Sequence, residues 1–224
     1  MANFGFAHLS VAAPYAPHWR EARSAVGAPD LLASAKETEA LAGAIADCTF
    51  VVGTGTLTHR KPEQNVVSLP DLSQLMAREL ESGGRVGLVF GPEKHGLTRD
   101  DLSYCHVLVE IPTDPRQPSM NLGQAVAVCL YELGRPTRSA ACISDAGQEP
   151  AKESPRTPSA SIDLLAGLIE QTMAVAGYSP RSMQPANQHD LRLLLRRLAL
   201  SPHDIRRMLG LFRRILHRLK RGPG

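Results

Sequence analysis

The stretch Val86-Gly87-Leu88-Val89-Phe90-Gly91-Pro92-Glu93-Lys94-His95-Gly96-Leu97 is a short β-type apolar run that ends in a loop bounded by glycines. The same grammar occurs twice more. Thr49-Phe50-Val51-Val52 runs into Gly53-Thr54-Gly55-Thr56-Leu57-Thr58-His59-Arg60, and residues 107–111 run into Ile111-Pro112-Thr113-Asp114-Pro115-Arg116-Gln117-Pro118-Ser119-Met120-Asn121-Leu122. Helical patterns fall between and around these strands, over residues 35–46, 71–81 and 121–133, with a further strand-like run at 6–13 and a helical one at 17–26. Alternation of this kind argues for an α/β fold, a parallel sheet with helices on both faces. In an open sheet of that type, ligands bind beyond the carboxyl ends of the strands, and all three loops belong to that edge. The helix after the third loop places Leu122, Ala125, Val126, Cys129 and Leu133 on one side and predicts a stop at Gly134, in the C′ position.

Composition sets the outer bounds. Of 224 residues, 43% are hydrophobic, 21% charged and 4% aromatic, a folded profile that excludes fibrous and fully disordered classes. The cysteines Cys48, Cys105, Cys129 and Cys142 form neither a CxxC pair nor a dense spacing. That argues against a zinc ribbon or disulfide framework and for a reducing cytoplasm, where they serve as small apolar residues. No apolar stretch approaches the ~20 residues of a membrane helix, and no basic n-region precedes an apolar run, so no membrane partner is expected.

The charge is unevenly placed. Residues 1–160 hold 14 Lys+Arg against 18 Asp+Glu, a net of −4, whereas residues 161–224 hold 11 against 4, a net of +7. The composition breaks at the same place: Pro, Ser, Thr, Ala and Gly replace apolar periodicity across 137–160, which predicts a flexible linker. It separates a first domain over 1–136 from a small all-α domain over 161–224. Three helical signals follow the linker. Ile162, Leu165, Ile169 and Met173 share one face of the first helix, which ends near Gly177; Leu191, Leu194, Leu195 and Leu198 mark a second that opens after Asn187. The third has Ser201 as N-cap, Pro202 at N1, and Ile205, Leu209, Phe212 and Leu216 at helical spacing.

The outer face of this bundle is predicted to carry Arg192, Arg196, Arg197, Arg206, Arg207, Arg213 and Arg214, continuing through Arg218, Lys220 and Arg221. An ordinary solvated face is the plain reading. Against it, acids are few, and like charges at i,i+4 cost helix stability, so a phosphate backbone supplies the missing counter-charge. With only Tyr178 and Phe212 as aromatics, the tail suits backbone and shape recognition of structured RNA more than base stacking.

Other chemistries find no support. Gly53 and Gly55 lack the third glycine and acidic residue of a dinucleotide loop, no GK[ST] makes a P-loop, no GxSxG surrounds a serine, and no histidines fall in a metal-ligand spacing.

The second and third loops resemble motifs of the SpoU branch of the SPOUT methyltransferases. Residues 90–97 are similar to the family pattern FGxExxGL, and Ile111-Pro112 through Ser119-Met120-Asn121-Leu122 and on to Ala125-Val126 are similar to IP…S-x-N-L-x-x-A-V. The tail, with Pro185-Ala186-Asn187 before an Arg/Leu-rich helix, resembles the extension of a member of that family that acts on the tRNA anticodon loop. The resemblance implies a parallel sheet with a C-terminal trefoil knot. It also implies S-adenosylmethionine-dependent methylation of a ribose 2′-hydroxyl, a tRNA substrate and a homodimer that builds its site across both protomers.

The cofactor would lie bent in the knot crevice against backbone groups of Thr54, Gly55, Thr56, Gly91, Ile111, Pro118, Ser119 and Met120, with catalytic roles for Asn121, Ser119 and Glu93. Arg60 falls where the family keeps RNA-contacting arginines, and the in-line displacement calls for no metal. Each residue has a plainer alternative: Asn121 is also a natural N-cap, Ser119 an ordinary loop hydroxyl, Glu93 a solvated carboxylate or cap, Arg60 a surface charge, and His59 and His95 solvated loop residues. One departure bears on activity. The family's first motif, N-x-G-x-x-A-R, has no counterpart here, and residues 1–6 look like what normally follows it. An upstream start or an N-terminally truncated form is therefore expected, the latter lacking an arginine thought to activate the 2′-hydroxyl. The rivals are a non-catalytic or impaired RNA-binding protein of the same fold and an rRNA 2′-O-methyltransferase.

Overall fold

The computed structural model describes residues 1–14, 19–21, 27–55, 62–140, 156–178 and 181–221. In chain order the elements are β1 (Ser10–Ala12), α1 (Pro29–Ala33), β2 (Lys36–Thr38), α2 (Leu41–Ala44), β3 (Phe50–Thr54), β4 (Asn65–Ser68), α3 (Leu69–Glu81), β5 (Val86–Val89), α4 (Arg99–Ser103), β6 (Val107–Glu110), α5 (Leu122–Ala140), α6 (Ser159–Val175), α7 (Gln184–Arg197) and α8 (Pro202–Arg221). The main sheet is parallel throughout in the order β4-β6-β3-β5, and β1 and β2 pair in parallel as a separate two-stranded sheet. Among the described residues no helix is long and apolar enough to cross a membrane.

Burial follows the period of two. Along β3, Phe50 and Val52 enter one core with Leu69, Leu72, Val109 and Cys129, while Val51 enters the other with Ile45, Val89, Leu97, Leu102, Cys105 and Leu108. Both faces of the sheet are covered, which is why its strands read as continuous apolar runs and not as alternating ones. Cys48, Cys105 and Cys129 are free and buried in these cores.

Short-range chemistry places the helix starts. Ser68 Oγ accepts from Asp71 N at the start of α3, and Thr98 and Asp101 exchange side-chain and backbone bonds in a capping box before α4. Ser201 and Asp204 repeat that exchange ahead of α8, where the bonds from Ser201 also hold the Asp204 carboxyl below its usual range.

Several expectations are corrected. Residues 35–46 are not one helix. Lys36–Thr38 is instead extended and pairs with β1, so backbone pairing overrides the helical composition. Helix α5 does not stop at Gly134 but continues to Ala140; Gly134 is buried, and a Cβ there would come within 3.6 Å of Phe4 O and 3.7 Å of the Phe6 ring, so the N-terminal turn packs against the helix where a stop was expected. Helix α7 opens at Gln184, three residues before Asn187, with Pro185 in its first turn. The strand β4 and the helices α1 and α4 carry too few residues to show a period. The expected helix at 17–26 falls mostly outside the described residues, as do 141–155 of the expected linker.

The linker's far end is fixed. Ser159 N and Oγ both donate to Cys48 O at 2.9 Å, Ala160 N donates to Ala46 O at 3.0 Å, and Thr157 Oγ1 donates to Leu200 O at 2.7 Å. Helices α6, α7 and α8 then enclose their own core of Ile162, Leu165, Ala166, Ile169, Leu195 and Ile205.

Candidate active site

The end of β3 at Thr54 and Gly55 and the loops after β5 and β6 meet at the carboxyl edge of the sheet and line a cavity of about 310 Å³. The walls come from Thr54 and Gly55, from the whole of residues 90–97, and from Glu110, Ile111, Thr113, Pro118, Ser119, Met120, Leu122 and Ala125. The site thus unites most of the residues singled out in the sequence. Thr56 and Arg60 lie outside the described residues.

The loop after β5 is folded tightly on itself. A Cβ at Gly91 would strike the backbone of Gly96 and Leu97, and Gly96 has φ +64°, so both glycines are required by the loop's own path. Gly55 differs: a Cβ there would meet nothing within 4 Å, and close packing by this chain does not explain it. Thr54 directs its hydroxyl to Val89 O (2.9 Å), tying the ends of β3 and β5 together. The loop after β6 is closed by Gln117 N to Asp114 O (2.8 Å) and by Arg116, whose hydrogen bonds hold the Asp114 carboxyl below its usual range.

The second and third motifs touch through one pair. Asn121 Nδ2 donates to Glu93 Oε1 at 2.7 Å, and Leu122 N donates to the same oxygen at 3.4 Å. The other end of the Asn121 amide accepts from Gly123 N (2.9 Å) and Gln124 N (3.4 Å). Asn121 is therefore the N-cap of α5 and the anchor of Glu93 at once, so its two readings combine. Ser119 and Met120 are exposed on the wall beside them.

The sequence reading missed some of this wall. Phe90, Lys94, His95 and Glu110 also line the cavity. The signal was available, since three of them lie within the second motif and Glu110 is the last residue of β6.

The expected basic face is divided. Arg197, Arg206, Arg207, Arg213 and Arg214 are exposed. Arg196 is corrected: it is 3% exposed, donates to Tyr104 O (2.9 Å) and pairs with Asp163 (2.8 Å), leaving no surface for a phosphate. Arg192 pairs with Asp100 at 2.7 Å with its guanidinium 4.5 Å from the Tyr104 ring centroid. Nearby, Glu63 and His189 line a groove with Arg99, and Glu63, His189 and Asp190 bring ligand-type atoms within 4.8 Å of one another, with His189 accepting from Arg99 (3.2 Å).

With this geometry in place, comparison with known proteins is direct. The profile of the SpoU rRNA Methylase family matches residues 1–131, more than half of the chain. The chain belongs to the SpoU rRNA methylase family. Within it, the chain is similar to the tRNA (cytidine/uridine/adenosine-2′-O-)-methyltransferase TrmJ of Pseudomonas aeruginosa, 35% identical over 147 residues that cover 62% of this chain and 57% of that protein. The tRNA (cytidine/uridine-2′-O-)-methyltransferase TrmJ of Pectobacterium atrosepticum is 33% identical over 193 residues, 86% of this chain and 76% of that one. The crystal structure of TrmJ from Z. mobilis ZM4 superposes with a TM-score of 0.81 at 28% identity, covering 96% of this chain and 89% of that chain. The chain thus spans less than two thirds of the Pseudomonas protein, while its likeness to the Z. mobilis structure runs through both the sheet and the helical tail.

Proposed function

We propose that the protein is an S-adenosylmethionine-dependent RNA methyltransferase that modifies a ribose 2′-hydroxyl of tRNA, in the anticodon loop. It would act in the cytoplasm as a homodimer, without a metal. The observation that carries this reading is the Asn121–Glu93 hydrogen bond, which joins the second and third SpoU motifs and fixes Glu93 on the wall of the cavity.

The cavity fits the cofactor. Its volume is in the range of small-molecule clefts, roughly 300–1,000 Å³, and it sets the apolar Phe90, Ile111, Met120 and Leu122 beside the polar Thr113, Ser119, Glu93 and Lys94. When bound, S-adenosylmethionine would supply an electrophilic methyl group. Backbone groups of Thr54, Gly55, Gly91, Ile111, Pro118, Ser119 and Met120, with Thr56 from the adjoining loop, would hold it.

The rest falls to this chain's own side chains. Glu93, fixed by Asn121 and Leu122 N, is a preoriented acceptor for a hydroxyl or ammonium group; Ser119 offers a hydroxyl to the ribose across the cavity. The tight Gly91–Gly96 loop and the seating of the first turn of α5 on Glu93 support a trefoil knot formed by the loops after β5 and β6. Residues 1–136 would form the catalytic unit and 161–224 the RNA-binding unit, with Arg60, Arg197, Arg206, Arg207, Arg213 and Arg214 as RNA contacts.

The test is calorimetric titration of the chain with S-adenosylmethionine, followed by tritiated-methyl transfer to bulk tRNA. Saturable binding and transfer that is lost in Asn121→Ala would support the reading. A folded chain that does not bind the cofactor would overturn it.

A further inference from the structure

Helix α8 carries a glycine that its own packing does not require. Gly210 lies mid-helix and exposed, at ordinary helical φ. A Cβ there would meet nothing within 4 Å, so neither packing nor backbone conformation demands glycine. In a helix interior glycine is markedly poorer than alanine. The positions three and four residues away on either side are its surface neighbours, with Cβ atoms about 5–6 Å apart along the helix. In this chain all four are arginine: Arg206, Arg207, Arg213 and Arg214. All are exposed, and none pairs with a described carboxylate within 4.0 Å; Arg206 Nε donates only to Pro202 O at 3.2 Å. The one acid of α8, Asp204, is engaged by Ser201.

We propose that Gly210 and these four arginines form a seat for RNA backbone phosphate, in which the bare helix backbone lets a phosphate sink between two pairs of guanidinium groups. The proposal rests on the tRNA reading above and adds to it a specific docking point. Removing the side chain at the centre of the ring does two things. It shortens the approach of the phosphate to all four cations, and it exposes backbone to the ligand, a recognised use of glycine. Four guanidinium groups held close together on one helix repel one another, and phosphate offsets that repulsion.

The experiment compares the full chain with Gly210→Ala and Gly210→Leu in thermal unfolding and in equilibrium binding to bulk tRNA across a salt series. A structural glycine would raise or lower stability and affinity together. The seat predicts opposite signs. Gly210→Ala should raise the thermal midpoint by roughly 2–4 °C while weakening tRNA binding about fivefold, and Gly210→Leu should weaken it further. The slope of log K against log salt should fall by about 0.7–0.9 as one phosphate contact is lost. Unchanged affinity and slope in Gly210→Ala would overturn the proposal, as would absence of tRNA binding by the unsubstituted chain. Cofactor titration of the same samples separates this outcome from that of the methyltransferase reading, because the cavity lies at the carboxyl edge of the sheet and the seat on α8.

Discussion

Helices α7 and α8 are both rich in arginine, yet two of the three arginines of α7, Arg192 and Arg196, serve the opposite use to those of α8. On α7, Arg192 and Arg196 are one turn apart and face the rest of the protein, flanking the Tyr104 ring at 4.5 and 5.2 Å from its centroid and reaching Asp100, Asp163 and Tyr104 O. On α8, Arg206, Arg207, Arg213 and Arg214 face solvent. A count of arginines cannot separate these roles. What separates them is which stripe of each helix meets a neighbour, and α7 lies between α6 and α4 while α8 packs chiefly on α6. The contacts of α7 and of the turn before α6 involve Ala46, Cys48 and Tyr104, ahead of β3 and β6, at the amino edge of the sheet. The cavity is at the other edge.

The contrast breaks most visibly at Arg196. Its side chain is 1% exposed, so Arg196→Met, which strips Asp163 and Tyr104 O of their partner, should cost about 3 kcal/mol and lower the thermal midpoint on the order of 10 °C. Affinity for tRNA, measured below the transition, should hold. Arg213→Ala should show the reverse, with stability shifted by less than about 0.5 kcal/mol and tRNA binding weakened. If Arg196→Met instead weakened tRNA binding in the folded state, the division between the helices would fail.

A pH titration sharpens the same contact. His106 is held neutral, its pKa pushed down to about 3 by burial first and then by the charges of Arg196 and Arg156, while Nδ1 accepts from Val51 N at 3.0 Å. The unfolded chain takes up this proton near pH 6.5, the folded chain only near 3. Unfolded molecules thus bind more protons in that window, and stability should be full above about 6.5 and decline as pH falls toward 3. His106→Gln should flatten that part of the profile of thermal midpoint against pH. An equally steep decline would assign the effect to other groups.

At the carboxyl edge, Asn121→Ala removes both the cap of α5 and the anchor of Glu93. The cap alone should cost about 1 kcal/mol of stability. Misplacing Glu93 should slow methyl transfer on the order of tenfold to a hundredfold, with a smaller change in cofactor affinity; equal losses in both would leave only the cap. A small effect on stability is expected for Arg192→Ala. Its partner Asp100 is 71% exposed, so unfolding should shift by about 1 kcal/mol or less, and a larger change would mean that the stacking on Tyr104 dominates.

Much of the site was legible because it is local. Strand, glycine-bounded loop and capped helix occur within about a dozen residues of one another, and turn chemistry and hydrophobic period act at that range. The capping of α8 by Ser201 was legible for the same reason. The failures occurred where distant segments decided. Lys36–Thr38 is extended because β1 offers it a partner, and Gly134 stays helical with the N-terminal turn packed over it.

The sequence by itself determined the parallel α/β class, the loops after β5 and β6 at one sheet edge, the helical tail and its excess of positive charge, all of which follow from periodicity, composition and short motifs. Only the tertiary structure decided that Asn121 and Glu93 share a hydrogen bond and that Arg196 is buried between Tyr104 O and Asp163. The physical reason is the same in each case. A side chain's chemistry is set by its residue type, but its partners are set by which surfaces burial brings together, and those surfaces come from parts of the chain tens of residues apart.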